Sequence, residues 1–207
     1  EGLAIVCELA QALHYAHEQD ILHRGVRPTN IMFKPTDAEL EEPGHLPFRP
    51  VLMDVGLAKL EERGVQLKPG IVACTPVYMS PEQCEADPHD LDIRSDVYAL
   101  GVVLYELLCE EPPYDVSKIA IFEAVRVIRE ETPKRPSTVN RTLRGDVETI
   151  TLKALEKDRR RRYVSARDLE NDVSHHLNNE PIAARPISTA YLLRKLISKH
   201  KGAFMAI

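Results

Sequence analysis

From Ser95 to Leu108 the chain reads Ser-Asp-Val-Tyr-Ala-Leu-Gly-Val-Val-Leu-Tyr-Glu-Leu-Leu, apolar on nearly every side of a 3.6-residue helix. Such a helix has no face to give to water, so the fold must be built around it. A bilayer is not the alternative. The apolar run Ala99 to Leu108 is interrupted by Glu106 and falls far short of the roughly 20 residues a membrane span requires. Ser95 is the candidate N-cap of this central helix, and Pro112-Pro113 the expected stop.

Around it the pattern supplies more helices. Residues 3–17 place Leu3, Val6, Leu9, Ala10, Leu13, Ala16 and His17 on one face. The stretches Ile119 to Ile128, Val147 to Leu155 and Ala166 to Leu177 repeat the same spacing. His14 and His17 stand three residues apart, a spacing that would suit a metal, but on a core-facing helix they read as packing. Ile21 to Phe33 holds Gly25 and Pro28 and reads as a loop entering a strand at Asn30 to Phe33. Pro35 to Pro50 is Pro-rich and acidic, an exposed excursion before the apolar Val51-Leu52-Met53. Residues 57–82 lack periodicity and form a long irregular segment. The fold class is therefore mainly α with a small β component, α+β.

Composition sets outer limits. At 207 residues and 43% hydrophobic, the chain is the size of one domain or one large lobe with appendages. Its net charge of −5 gives no general basis for holding nucleic acid. Cys7, Cys74, Cys84 and Cys109 show neither CxxC nor metal-like spacing and read as reduced intracellular thiols. After Glu180 no acidic residue occurs, while Arg185, Arg194, Lys195, Lys199 and Lys201 are basic. Ala190 to Lys201 is expected to be either a solvated helix or a segment beside an anionic membrane leaflet. The last residues, Gly-Ala-Phe-Met-Ala-Ile, could open an apolar span.

The chemistry-bearing residues come in order: His23-Arg24-Gly25-Val26-Arg27-Pro28-Thr29-Asn30, then Asp54-Val55-Gly56, then Thr75-Pro76-Val77-Tyr78-Met79-Ser80-Pro81-Glu82, with Lys157-Asp158 and Arg162-Tyr163 later. This series resembles the catalytic loop, magnesium loop and substrate-positioning segment of a protein kinase. Together with Glu180-Pro181-Ile182-Ala183-Ala184-Arg185-Pro186 it is similar to bacterial serine/threonine kinases, over residues 1 to about 186. The resemblance implies the C-terminal lobe of a protein-kinase-like fold in residues 1–180: a helical bundle around a buried central helix, with short β-hairpins at the catalytic loop. Residues 181–207 would form a basic segment beside it, juxtamembrane if a membrane lies near. The 207 residues contain no GxGxxG loop and no VAIK-type lysine strand, and begin with Glu1, so the smaller lobe is expected upstream.

The same resemblance assigns roles. Asn30 and Asp54 would be the Mg²⁺ ligands, their hard oxygens suiting that ion. Arg27 and Met32 would join them around ATP, Met32 as the apolar floor under adenine. Each alone has a plainer explanation: a turn cap for Asn30, a loop brace for Asp54, a core methionine for Met32. Thr75 matches the threonine that bonds the catalytic aspartate; loop packing would equally account for Thr75, Tyr78 and Ser80. His23, Arg24 and Asp96 would shape the catalytic loop, and Glu82 with Arg162 would form a buried ion pair.

The departures are as informative. Gly25 stands where the family has the aspartate that accepts the hydroxyl proton, a group whose kind contributes typically about 10²–10⁴ in rate. Arg27 replaces the usual lysine, and a planar guanidinium is not equivalent to an ammonium. Val55 replaces a phenylalanine, and Cys74 a glycine. Leu57 to Cys74 contains no Ser, Thr or Tyr, so Arg24 has no activation-segment phosphate to pair with. Two functions follow: a serine/threonine kinase domain, impaired but still passing phosphate from ATP to protein; or a pseudokinase that binds ATP and Mg²⁺ and signals through its surfaces. The expected partners are a protein substrate or signalling partner, not nucleic acid, and the expected location is the cytoplasm, or the cytoplasmic part of a membrane-anchored protein.

Overall fold

The computed structural model describes residues 1–35, 47–55, 76–85, 91–186 and 188–199. Its elements in chain order are α1 (Gly2–Glu18), β1 (Ile31–Pro35), β2 (Phe48–Leu52), α2 (Ile93–Cys109), α3 (Ile121–Glu130), the single turn α4 (Pro136–Val139), α5 (Asp146–Ala154), α6 (Ala166–Leu177) and α7 (Thr189–Lys199). Short 3₁₀ turns at Pro28–Asn30, Pro76–Tyr78, Gln83–Glu85 and Arg141–Leu143 connect them.

The expected all-round apolar helix is the centre of the molecule. In α2, Val97, Leu100, Val103 and Leu104 meet Val6, Leu9 and Leu13 of α1, Ile150 and Ala154 of α5, and Leu169 and Val173 of α6. Its other side buries Tyr98, Val102 and Tyr105 against Leu155. Gly101 is a packing requirement: a Cβ there would stand 2.7 Å from the Ala154 Cβ, so only glycine lets α2 and α5 approach this closely. A satellite cluster of Val77, Tyr114, Val116, Ala124, Val127 and Ile128 seats α3 under the irregular segment.

The ends of α2 differ from the sequence expectation. Ser95 does not cap it; Asp92 does, its carboxylate accepting from the Arg94 N–H at 2.8 Å, because the Ser95 hydroxyl is taken by Glu82. Pro112-Pro113 does not stop it either. The helix closes at Cys109 through Glu110, which sits in the left-handed region at φ 59°. Helices α1, α3, α5, α6 and α7 lie within about two residues of their expected bounds, α6 at the bounds themselves, and the single turn α4 was not expected.

The β component is one antiparallel hairpin, with Ile31 opposite Leu52 and Phe33 opposite Pro50. Phe33 and Phe48 pack edge to face, with centroids 4.8 Å apart. The middle of the expected Pro35 to Pro50 excursion, most of residues 57–82 and the terminal apolar hexapeptide lie outside the described residues. Cys7, Cys84 and Cys109 are free thiols, and no described helix is long and apolar enough to cross a membrane.

Candidate active site

The loop between α1 and β1 is held from beneath by one carboxylate. Asp96, in the first turn of α2 and 1% exposed, accepts from the backbone N–H of His23 at 2.9 Å and of Arg24 at 2.7 Å. Its Oδ2 also lies 2.8 Å from Nε2 of His17. Three partners satisfy a charge that would otherwise be costly to bury. They also hold Arg24 in the left-handed region, at φ 58°, a conformation that surrounding contacts must enforce in a residue with a side chain. His17, read from sequence as packing, is thus a ligand of the loop's anchor; its partner is 79 residues away, and helical spacing carries no trace of it.

Above the anchor the loop closes on itself. The Gly25 N–H donates to Nδ1 of His23 at 3.3 Å, and the Asn30 side-chain amide donates to the Gly25 carbonyl at 2.9 Å. Burial pushes the His23 imidazole below its usual range, although Asp96 nearby pulls the other way, so His23 is a neutral, acceptor-capable ring. The Asn30 carbonyl accepts from the Met53 N–H at 2.9 Å, tying the catalytic loop to the strand end that carries Asp54. Asp54 is exposed and itself left-handed, at φ 60°.

These residues fit a magnesium ion. Asn30 commits its side-chain N–H to Gly25 and keeps its amide oxygen as acceptor, and the exposed Asp54 carboxylate is close enough to act on the His23 imidazole of the same loop: hard oxygen donors, to be completed by phosphate oxygens and water. Such an ion would supply neutralisation of phosphate charge. Among the described residues there is no cluster of three or more His, Cys, Asp or Glu side chains. Arg27 stands beside Gly25 in extended backbone, with a buried Nε that finds no partner. Met32 is 49% exposed and faces an open trough of about 1090 Å³ between α1 and the hairpin, lined also by Leu13, Tyr15, Ile21, His23 and Val55.

What the site lacks is the group at residue 25. The backbone there does not demand glycine: φ is not in the left-handed region, and a Cβ would meet Asn30 Nδ2 at 3.5 Å and His23 Nδ1 at 3.7 Å, ordinary contacts. The loop keeps the shape that would carry a side chain.

The positioning segment is fixed by a second buried network. Arg162 reaches Glu82 with both Nη atoms at 2.6 Å, and its remaining donors go to the carbonyls of Arg94, Glu156 and Lys157. Burial alone would raise the Glu82 carboxyl, but this guanidinium and the Ser95 hydroxyl hold it below the usual carboxylate range. Gln83 links the segment to the catalytic loop, accepting from the Ser80 N–H at 2.8 Å and donating to the Arg24 carbonyl at 3.4 Å. Tyr78 donates to Glu106 of α2 at 2.6 Å, and burial with that carboxylate pushes its phenol well up. Gln83 and Glu106 carried no sequence signal, because each acts through a partner far along the chain. Thr75, Gly56 and Leu57 to Cys74 lie outside the described residues.

The protein kinase domain family matches residues 2–174. Serine/threonine-protein kinase PknB of Mycobacterium tuberculosis is 34% identical over 203 residues, covering 97% of this chain and 30% of that protein. A probable serine/threonine-protein kinase of Streptomyces coelicolor is 34% identical over 184 residues, covering 88% of this chain and 25% of that protein. The crystal structure of the Mycobacterium tuberculosis PknI kinase domain superposes with a TM-score of 0.57 at 27% identity, covering 84% of this chain and 54% of that one. The chain thus spans between a quarter and a third of the length of the curated relatives it matches.

Proposed function

This chain belongs to the protein kinase domain family, and from that premise we propose that it is the larger lobe of a two-lobed serine/threonine kinase that holds ATP and Mg²⁺ but transfers phosphate to protein at a severely reduced rate. The observation that carries the reading is the contrast at residue 25. Asp96 and Asn30 hold the loop closed by hydrogen bonds, while the position that would orient the attacking hydroxyl bears no side chain.

The chemistry follows from what remains. Phosphoryl transfer depends on placing two reactants in line and neutralising the charge on the transferred group. Asn30 and Asp54 would hold the ion that does the second, and Arg27, two residues from Gly25, would add a cation to the same loop. No residue of the loop supplies the carboxylate that would take the hydroxyl proton, so the step loses the factor of about 10²–10⁴ such a group provides. Mg²⁺ and ATP binding needs none of it. The half-exposed Met32 and Val55, facing the trough beside α1, are the surface we assign to adenine and the smaller lobe. We place the lobe in the cytoplasm with a protein substrate or signalling partner, and residues 181–207 beside an anionic membrane leaflet, on the strength of five basic and no acidic side chains there.

The test is melting of the two-lobed protein with ATP, with and without Mg²⁺. A ligand at 100 times its Kd stabilises by about 2.7 kcal/mol. We expect a Mg²⁺-dependent rise in Tm that Asn30→Ala and Asp54→Ala each abolish. A rise that ignores Mg²⁺, or none at all, contradicts the assignment.

A further inference from the structure

Helix α7 packs on the lobe with its polar face and turns its aliphatic face outward. Tyr191 is buried, its hydroxyl accepting from the Ile182 N–H at 3.0 Å and donating to Asp146 at 3.1 Å. One turn on, the Lys195 ammonium meets the same carboxylate at 2.8 Å. Ser198 donates to Asn179 at 3.0 Å, and Lys199 to Glu180 at 2.7 Å. Arg185 closes the ring on Asp146 at 3.2 Å, so the helix is pinned in one rotation about its axis. On the opposite side Leu192, Leu193, Leu196 and Ile197 form an i, i+1, i+4, i+5 stripe, between 40% and 56% exposed. A soluble amphipathic helix has the reverse arrangement.

We infer that this stripe is the membrane-contacting surface of the lobe: α7 lies in the plane of an anionic leaflet, its leucines in the acyl boundary and the exposed Arg194 at headgroup level. The occupant follows from charge. Residues 181–207 carry five basic and no acidic side chains, against 22 basic and 32 acidic in residues 1–180; Arg185 and Lys195 share the single Asp146 carboxylate and Lys199 pairs with Glu180, so positive charge stays in excess at this end of the lobe. Arg194 flanks the stripe on the helix itself. A second copy would set α7 against α7 and bring the two exposed Arg194 side chains together, with no acidic residue on the helix to answer them. An in-plane helix with leucine on one side and an arginine at its border, in a segment of net positive charge, binds such a leaflet by apolar burial and electrostatic attraction together. This deepens the placement of residues 181–207 beside a membrane and rests on it.

The experiment is cosedimentation of the 207-residue chain with vesicles of phosphatidylcholine alone and with phosphatidylserine added. Binding should need the anionic lipid, and the pair Leu193→Glu with Ile197→Glu should weaken it by at least about tenfold. Both positions are exposed, so circular dichroism should stay unchanged, and Phe122→Glu, an exposed aromatic on α3, should bind as the parent does. The chain has no Trp, so Leu193→Trp is a lone reporter whose emission should shift to the blue on anionic vesicles. Undiminished binding by the Glu pair would keep the membrane placement and overturn the role of the stripe. No binding by the parent would overturn both, as would a dimer in free solution that the Glu pair dissolves while vesicles leave it intact.

Discussion

The Asn30 side-chain amide donates to the backbone carbonyl of Gly25 at 2.9 Å, and this bond asks nothing of the side chain at residue 25. The catalytic loop therefore stays closed although the aspartate its family places there is gone. Two opposite stability effects should follow. Asn30→Ala leaves a carbonyl beneath the loop unsatisfied and should cost about 1–3 kcal/mol in urea unfolding. Gly25→Asp enters space free of close contacts at a φ that tolerates a side chain, and should be neutral or stabilising by up to about 1 kcal/mol. A large loss for Gly25→Asp would mean the loop had been remodelled around glycine.

The Glu82 and Arg162 pair should be the most fragile charged contact in the lobe. Arg162 is 2% exposed with every donor spoken for, so Glu82→Ala leaves a guanidinium buried without its counter-charge. Loss of one partner of such a pair costs about 3–5 kcal/mol. Denaturant unfolding of Glu82→Ala beside the exposed Glu123→Ala separates this from a surface pair, whose loss should leave the midpoint nearly unmoved.

Gly101 offers a purely steric test. Gly101→Ala drives a methyl to 2.7 Å from the Ala154 Cβ, and overpacking of this kind costs typically about 1–3 kcal/mol. Adding Ala154→Gly should recover part of that loss, and a double mutant no better than the single would place the clash elsewhere.

Stability should fall on the acid side of neutrality. Burial holds His23 and His176 below the ordinary histidine value of about 6.5, so between that value and their folded pKa the unfolded chain binds more protons. Their contribution is complete above about pH 6.5 and is lost as pH drops below it. Glu82, depressed from 4.5, adds a second loss at lower pH still. Thermal melts across pH 4 to 8 should show a plateau above neutrality and a decline below it; a Tm that rises as pH falls from about 7 to 5 contradicts this.

Periodicity alone located α1, the centre α2 and the three helices packed near it, because each buries a stripe whose spacing is written locally. The caps of α2 were not legible, since they turn on competition: Ser95 is a fine N-cap by type, but Glu82 claims its hydroxyl, and Asp92 takes the role. Glu110 ends the helix in a left-handed conformation that its side chain does not advertise. In the site, the Asp96 anchor and the Glu82–Arg162 pair were legible because these residues sit in ordered motifs. His17, Gln83 and Glu106 were not, each gaining its role from a residue brought near only by folding. The Asp146 hub that seats α7 escaped notice for the same reason, and so did the outward turn of the helix's leucines.

The most direct test of the central claim is transfer of labelled phosphate from ATP to protein by the two-lobed protein, run beside Gly25→Asp and Gly25→Asp with Asp54→Ala. The account predicts trace transfer by the parent, a rise of about 10²–10⁴ in Gly25→Asp, and its loss again when Asp54 is removed. Robust transfer by the parent, with no gain from Gly25→Asp, would show that another group takes the proton and would contradict it.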